Sequence, residues 1–169
     1  MWNDTDIPLA HFFTFRTYGT WLHGDPRGSV DRFHNQYKSP YISSNEKWHR
    51  HNVKNLKYEP VKLNATQRHS VEVAIQEVCR ARKWLLHALN VRTNHVHAVI
   101  SIGEYNSGRA RGALKAKATK QMREDKCWDL EHSPWAEKGS KKKLWNERSL
   151  ERAIDYVLNG QGDDLPDFD

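Results

Sequence analysis

Residues 94 to 100 read Asn-His-Val-His-Ala-Val-Ile, and this alternation limits the fold of the 169-residue chain more than any other segment. Successive side chains of a strand point to opposite faces, so Val96, Ala98 and Ile100 share one face and His95 and His97 the other. The apolar face anchors the strand to a core. The opposite face then holds two imidazoles side by side on a rigid support.

The flanking segments extend this strand into a layered fold. Trp84 to Arg92 alternates as a strand, Asn94 breaks the chain, and His95 to Ile102 follows, so the two form a hairpin ended by Gly103 and the stretch Asn106 to Gly108. Upstream, Val71, Ala74, Ile75 and Val78 recur on one helical face and predict a helix from about Asn64 to Lys83, with Asn64 as N-cap and Gln67 three residues on. Downstream, Leu114, Ala118 and Met122 predict a second helix from about Arg109 to Lys126. Ala10 to Tyr18, rich in aromatic and β-branched residues, is an opening strand broken by Gly19 and by the turn Gly24 to Gly28. A short strand around Lys143 to Trp145 and a last helix from about Glu147 to Leu158, stopped by Gly160, complete the series.

The order is strand, helix, strand, strand, helix, strand, helix. Its first six elements match the ferredoxin-like α+β arrangement, an antiparallel sheet with two helices on one face and the other face open to a ligand. The length suits one domain over 1–169. Within it, 29–60 is polar and interrupted by Pro40, which predicts an irregular insertion, and 163–169 is an acidic tail.

The chain carries a formal charge of +6, and removing the four negative charges of Asp163, Asp164, Asp167 and Asp169 leaves +10 on the remainder. Such a body attracts polyanions, and nucleic acid is the leading partner. The second helix bears Arg111, Lys115, Lys117, Lys120 and Arg123 on its charged side. The candidate DNA contacts along the chain are Arg16, Arg27, Arg92, Lys115, Lys120, Lys141, Lys142 and Lys143. Mean hydropathy is −0.90, yet seven Trp, six Tyr and five Phe supply the surfaces of a folded core. Phe12 to Phe15 are assigned to that core rather than to base stacking. Cys79 and Cys127 lack CxxC spacing and are expected as free thiols in a reducing compartment. No apolar run approaches the length needed to span a bilayer, so the expectation is a cytoplasmic, nucleoid-associated protein with no membrane contact.

Neutral imidazole nitrogens bind divalent metals, and His95 with His97 forms a two-ligand claw. A second pair, His49 and His51, lies in a hydrophilic stretch without alternation and is assigned to an exposed loop. On the last helix Leu150, Ala153, Ile154, Val157 and Leu158 form an apolar stripe, and at about 100° per residue Tyr156 falls to its side, toward Arg152 and Asn159. A phenol attacks poorly unless its proton is lost or its target is polarised, and a metal on a phosphate does the second. The tyrosine and the imidazoles complement one another.

Three blocks carry a resemblance. Thr17-Tyr-Gly-Thr-Trp-Leu-His-Gly-Asp-Pro-Arg-Gly-Ser-Val-Asp-Arg32, Asn90-Val-Arg-Thr-Asn-His-Val-His-Ala-Val-Ile100, and Leu144-Trp145 through Ala153-Ile-Asp-Tyr-Val-Leu-Asn-Gly-Gln-Gly162 together resemble the REP-associated branch of the single-tyrosine HUH transposases. That resemblance implies a metal-dependent enzyme that cleaves and rejoins single-stranded or hairpin DNA through a 5′-phosphotyrosine. Tyr156 would be its catalytic nucleophile and His95 and His97 its metal ligands, with Mg2+ or Mn2+ as the ion and a homodimer left open. The third ligand is best matched by Gln161, five residues after the tyrosine, with Asn159, three residues after it, as the substitute. His23, Asp25 and Arg27 fall in the first shared block and would order the edge of the site or grip DNA, although a Gly-Asp-Pro turn accounts for much of that block locally. The chain departs from the family at Lys138, Lys141 and Lys143, which bears on substrate preference. A hairpin-binding module without turnover keeps the same surface and is the alternative. A histidine phosphohydrolase of the H-x-H-x-H class fits less well, because Val99 stands where its third histidine belongs.

Overall fold

The computed structural model describes residues 6–20 and 56–160. Strand β1 is Ala10–Arg16, helix α1 Ala65–Arg82, strands β2 and β3 Leu85–Val91 and His95–Ser101, helix α2 Ser107–Glu124, strand β4 Ser140–Leu144 and helix α3 Glu147–Asn159. Most of the polar insertion, His49, His51 and the acidic tail lie outside the described residues, and 56–60 contain neither helix nor strand.

The helix starts follow from local chemistry. Asn64 and Gln67 close a capping box, the Asn64 side chain accepting from the Gln67 N–H at 2.8 Å and the Gln67 side chain from the Asn64 N–H at 2.9 Å. Each bond satisfies a donor that the first turn cannot pair internally. Asn106 and Asn146 cap α2 and α3 in the same way, each accepting at 2.9 Å from the N–H three residues on. The α1 end turns at Lys83, whose φ of 59° reverses the chain into β2.

The four strands form one antiparallel sheet in the order β2-β3-β1-β4. With α1 and α2 as crossovers this is the ferredoxin-like topology expected from the element order. The pleat sends Phe13 and Phe15 of β1 and Val96, Ala98 and Ile100 of β3 toward the two helices, where they bury against Val71, Ile75, Leu114 and Met122. A slip of one residue in β3 would exchange these side chains for the imidazoles, so burial fixes the register.

The other face is not open, as the sequence alone suggests. Helix α3 lies across it, placing Ala153 and Val157 on Ala10, Ala88, Val99 and Leu144, with Phe12, Leu150 and Ile154 at the margin. Leu158, expected in the apolar stripe, is 56% exposed, whereas its neighbour Val157 is fully buried against the sheet.

Strand β4 begins and ends earlier than the aromatic pattern predicts, and Trp145 lies beyond it. As an edge strand paired with β1 it carries Lys141, Lys142 and Lys143, a charge run that sequence alternation does not reveal. Cys79 and Cys127 are free thiols. No helix among the described residues is long and apolar enough to cross a membrane.

Gly139 joins the loop before β4 to the sheet with φ of 126°, and a Cβ there would collide with the Thr14 carbonyl and stand 3.2 Å from Phe15 Cα. Gly139→Ala is expected to lower unfolding free energy by at least about 2 kcal/mol, read as a fall in the urea midpoint at unchanged m-value.

Candidate active site

His95 and His97 project from β3 onto the face that α3 covers, with ring centroids 4.6 Å apart. Thr14 is the register partner of His97 on β1, and its hydroxyl lies 2.8 Å from His97 Nδ1. The Asn94 side-chain oxygen lies 2.6 Å from His95 Nδ1. An amide oxygen can only accept, so Nδ1 of His95 carries the proton, and Nε2 is the atom whose lone pair the ring would offer when neutral. Hydrogen bonds of this kind at the outer nitrogen orient metal-binding histidines.

His97 is 6% exposed. Burial, followed by the nearby charges of His95 and Arg92, pushes its pKa down to about 3, so it stays neutral at ordinary pH. Neutrality is what ligation requires. Each ring has a partner at Nδ1, so Nε2 is the atom that each could offer to a divalent ion, and His95 and His97 are the residues here that could hold one. Among the described residues, no group of three or more His, Cys, Asp or Glu could do so.

Tyr156 arrives from α3. The residue is 48% exposed and its ring centroid lies 5.7 Å from that of His97, at 69°. Phe12 packs against both, 5.4 Å from His97 and 5.9 Å from Tyr156, so the three rings contact one another. Phe13 and Phe15 enter the core as expected, whereas Phe12 lines the site. The Tyr156 and His97 rings meet within a single chain.

The remaining candidates divide between the two faces. Arg16 is the register partner of His95, and burial pulls its guanidinium below its ordinary pKa. Arg92 donates its backbone N–H to the His95 carbonyl at 2.8 Å, and Lys142 stands opposite Phe12 on the same face as the histidines. Lys141 and Lys143 pair with Phe13 and His11 and so alternate toward the helical layer. On that layer Lys120 lies 4.0 Å from Glu124, and Lys115 donates to the carbonyls of Ala136, at 2.9 Å, and Lys138. Burial, then the charges of Arg111 and Arg16, lowers the Lys115 pKa to about 8. Lys115 thus ties α2 to the loop before β4.

Asn159 donates its amide to Asp155 at 2.9 Å on the exposed side of α3. Gln161 and Arg27, like His23 and Asp25, lie outside the described residues. Sequence reasoning missed Thr14 and Asn94 as supports of the imidazoles. Asn94 was legible only as a strand breaker, and the hydroxyl of Thr14 gains meaning only from a partner 83 residues away.

No protein-family model and no curated protein matches the chain. Among solved structures, it is similar to a REP-associated tyrosine transposase bound to a REP hairpin, with a TM-score of 0.54 and 15% identity over 95% of this chain and 71% of that one. At that identity the likeness is one of fold, and it agrees with the α+β sheet and helices described above.

The folded pKa of His97 lies below its ordinary value of 6.5, so between about 6.5 and about 3 the unfolded chain binds the extra proton. Stability contributed by the neutral ring is therefore present above that window and lost as pH falls through it. Urea midpoints measured at pH 7, 5.5 and 4 should decline, and His97→Gln should flatten the decline.

Proposed function

We propose that this chain cleaves and rejoins single-stranded DNA, with Tyr156 as covalent nucleophile and His95 and His97 as ligands of a divalent metal. The observation that carries this reading is the approach of the Tyr156 ring to within 5.7 Å of the His97 ring, from a separate element and with half its surface exposed. The same ring is thereby brought beside an imidazole that is itself neighbour to a second one, His95.

In the proposed reaction Tyr156 Oη attacks a backbone phosphorus, forming a bond from phosphorus to the tyrosine and breaking the bond to the 3′ oxygen. The phenol proton passes to water at the exposed ring, and the departing oxygen takes up a proton to become a 3′ hydroxyl. The 5′ phosphate remains on Tyr156. Attack by a 3′ hydroxyl reverses the step, joins the strands and restores the phenol, so no nucleotide cofactor is needed. When bound, Mg2+ or Mn2+ would polarise the phosphate oxygens and make phosphorus more electrophilic. Gln161 is proposed as third ligand from the match of its Gly-Gln-Gly segment, with Asn159, whose Nδ2 donates to Asp155, as the substitute.

Arg16, Arg92 and Lys142, on the histidine side, are suited to the phosphates flanking the scissile bond. Arg27 is assigned a similar role from sequence alone. Lys115, Lys120, Lys141 and Lys143 would meet DNA only where it wraps onto the helical layer. Hairpin DNA is the favoured substrate, because the structure of similar fold holds a REP hairpin and unstacked flanks expose both bases and backbone. The meeting of phenol and imidazoles inside one chain lets one subunit supply the pair.

Incubation with labelled hairpin DNA and Mn2+ should give an adduct that survives a denaturing gel. Tyr156→Phe should abolish the adduct while hairpin binding persists, and His97→Ala should slow its formation at least about 100-fold. Hairpin binding by the wild type with no adduct under any metal would leave a binding module instead. Thr14→Val, which removes the support of His97 Nδ1, should weaken Mn2+ affinity about 10- to 100-fold, measured by calorimetric titration.

A further inference from the structure

The position of Tyr156 depends on where the last turn of α3 comes to rest, and two residues outside the reacting set fix that turn. Asn90 is the register partner of His97 across β2 and β3, and its Nδ2 donates to the Val157 carbonyl oxygen at 3.0 Å. Val157 directly follows Tyr156, and its carbonyl belongs to the final turn, whose oxygens have no donor in their own helix. One side chain thus joins the strand beside the imidazole to the peptide beside the phenol.

Gly160 acts from the other side. Its N–H donates to the Tyr156 carbonyl at 2.9 Å. A Cβ at this position would stand 2.8 Å from Tyr156 Cδ2 and 2.8 Å from Tyr156 O, closer than real Cβ atoms come. Its φ of −97° suits any residue. The site uses the missing side chain, not left-handed backbone freedom.

We infer that Asn90 and Gly160 are positioning residues that hold Tyr156 over the histidines of its own chain, Asn90 by capping the last turn of α3 and Gly160 by leaving room for the ring. Their role in catalysis rests on the reading of Tyr156 as nucleophile; their role in placement does not. In its last turn helix α3 buries Val157 alone against the sheet, a single apolar contact that sets the depth of the turn but not its rotation. A displacement near 1 Å can cost about 100-fold in rate.

Placement is read without DNA or metal by 19F NMR of the full chain carrying 3-fluorotyrosine at position 156. In Asn90→Ala and Gly160→Ala the resonance should move away from its wild-type position, which the His97 and Phe12 rings set, toward that of free 3-fluorotyrosine. On unlabelled protein, single-turnover adduct formation with hairpin and Mn2+ should slow about 10- to 100-fold at unchanged final amplitude, with hairpin affinity within about twofold of wild type. A variant that merely unfolded would lose amplitude and binding together. Asn90→Asp, of equal size but unable to donate, should match Asn90→Ala and serves if the alanine variant does not fold. An unmoved resonance, or a moved one with an unchanged adduct rate, overturns the inference. A moved resonance in a protein whose wild type forms no adduct keeps the placement and defeats strand transfer.

Discussion

Strand β3 serves two sides of the molecule at once, and the pleat makes each side depend on the other. Val96, Ala98 and Ile100 are fully buried beneath α1 and α2, and burial of a Val or Ile side chain contributes about 1.5–3 kcal/mol. Moving the strand by one residue would forfeit that burial and drive His95 and His97 into an apolar layer with nothing to pair them. The same energy that holds the sheet together therefore holds the imidazoles in place. Thr14 and Asn94 refine the placement by engaging the Nδ1 atoms, and burial keeps His97 uncharged.

The tyrosine is held by less. The cluster beneath α3, built on Ala10, Ala88, Val99 and Leu144, is smaller than the one beneath α1 and α2. Phe12 lies beside the Tyr156 and His97 rings and contacts both. The bond from Asn90 to Val157 supplies direction that apolar contact lacks, because a hydrogen bond fixes an angle as well as a distance. A rigid half and a lightly held half suit a proposed reaction in which the nucleophile must carry a strand and then give it up.

Charge follows the same two-sided plan. Edge strand β4 sends Lys142 to the histidine face and Lys141 and Lys143 to the other, so three consecutive lysines do not make one patch. Charged side chains on an edge also discourage pairing with another sheet. Lys115, although it belongs to the basic face read from the sequence of α2, is drawn inward by the Ala136 and Lys138 carbonyls. Net charge alone marks a partner class, whereas the fold distributes the cations that would meet it.

Whatever depends on near neighbours was written in the sequence. The capping box at Asn64, the helical faces of α1 and α2, the alternation of β3 and the lateral position of Tyr156 on α3 all arise from spacings of two to four residues, and backbone geometry turns those spacings directly into faces. The ferredoxin-like order follows from arranging these elements. Tertiary structure decided what rests on distant partners: that α3 covers the second face, that Thr14 meets His97 and Asn90 meets Val157, and that lysines form the edge strand β4. It also changed the meaning of Gly160, from a helix stop to the space beside an aromatic ring. Periodicity says which side of an element is apolar, but only packing of the whole chain says what that side comes to lie against.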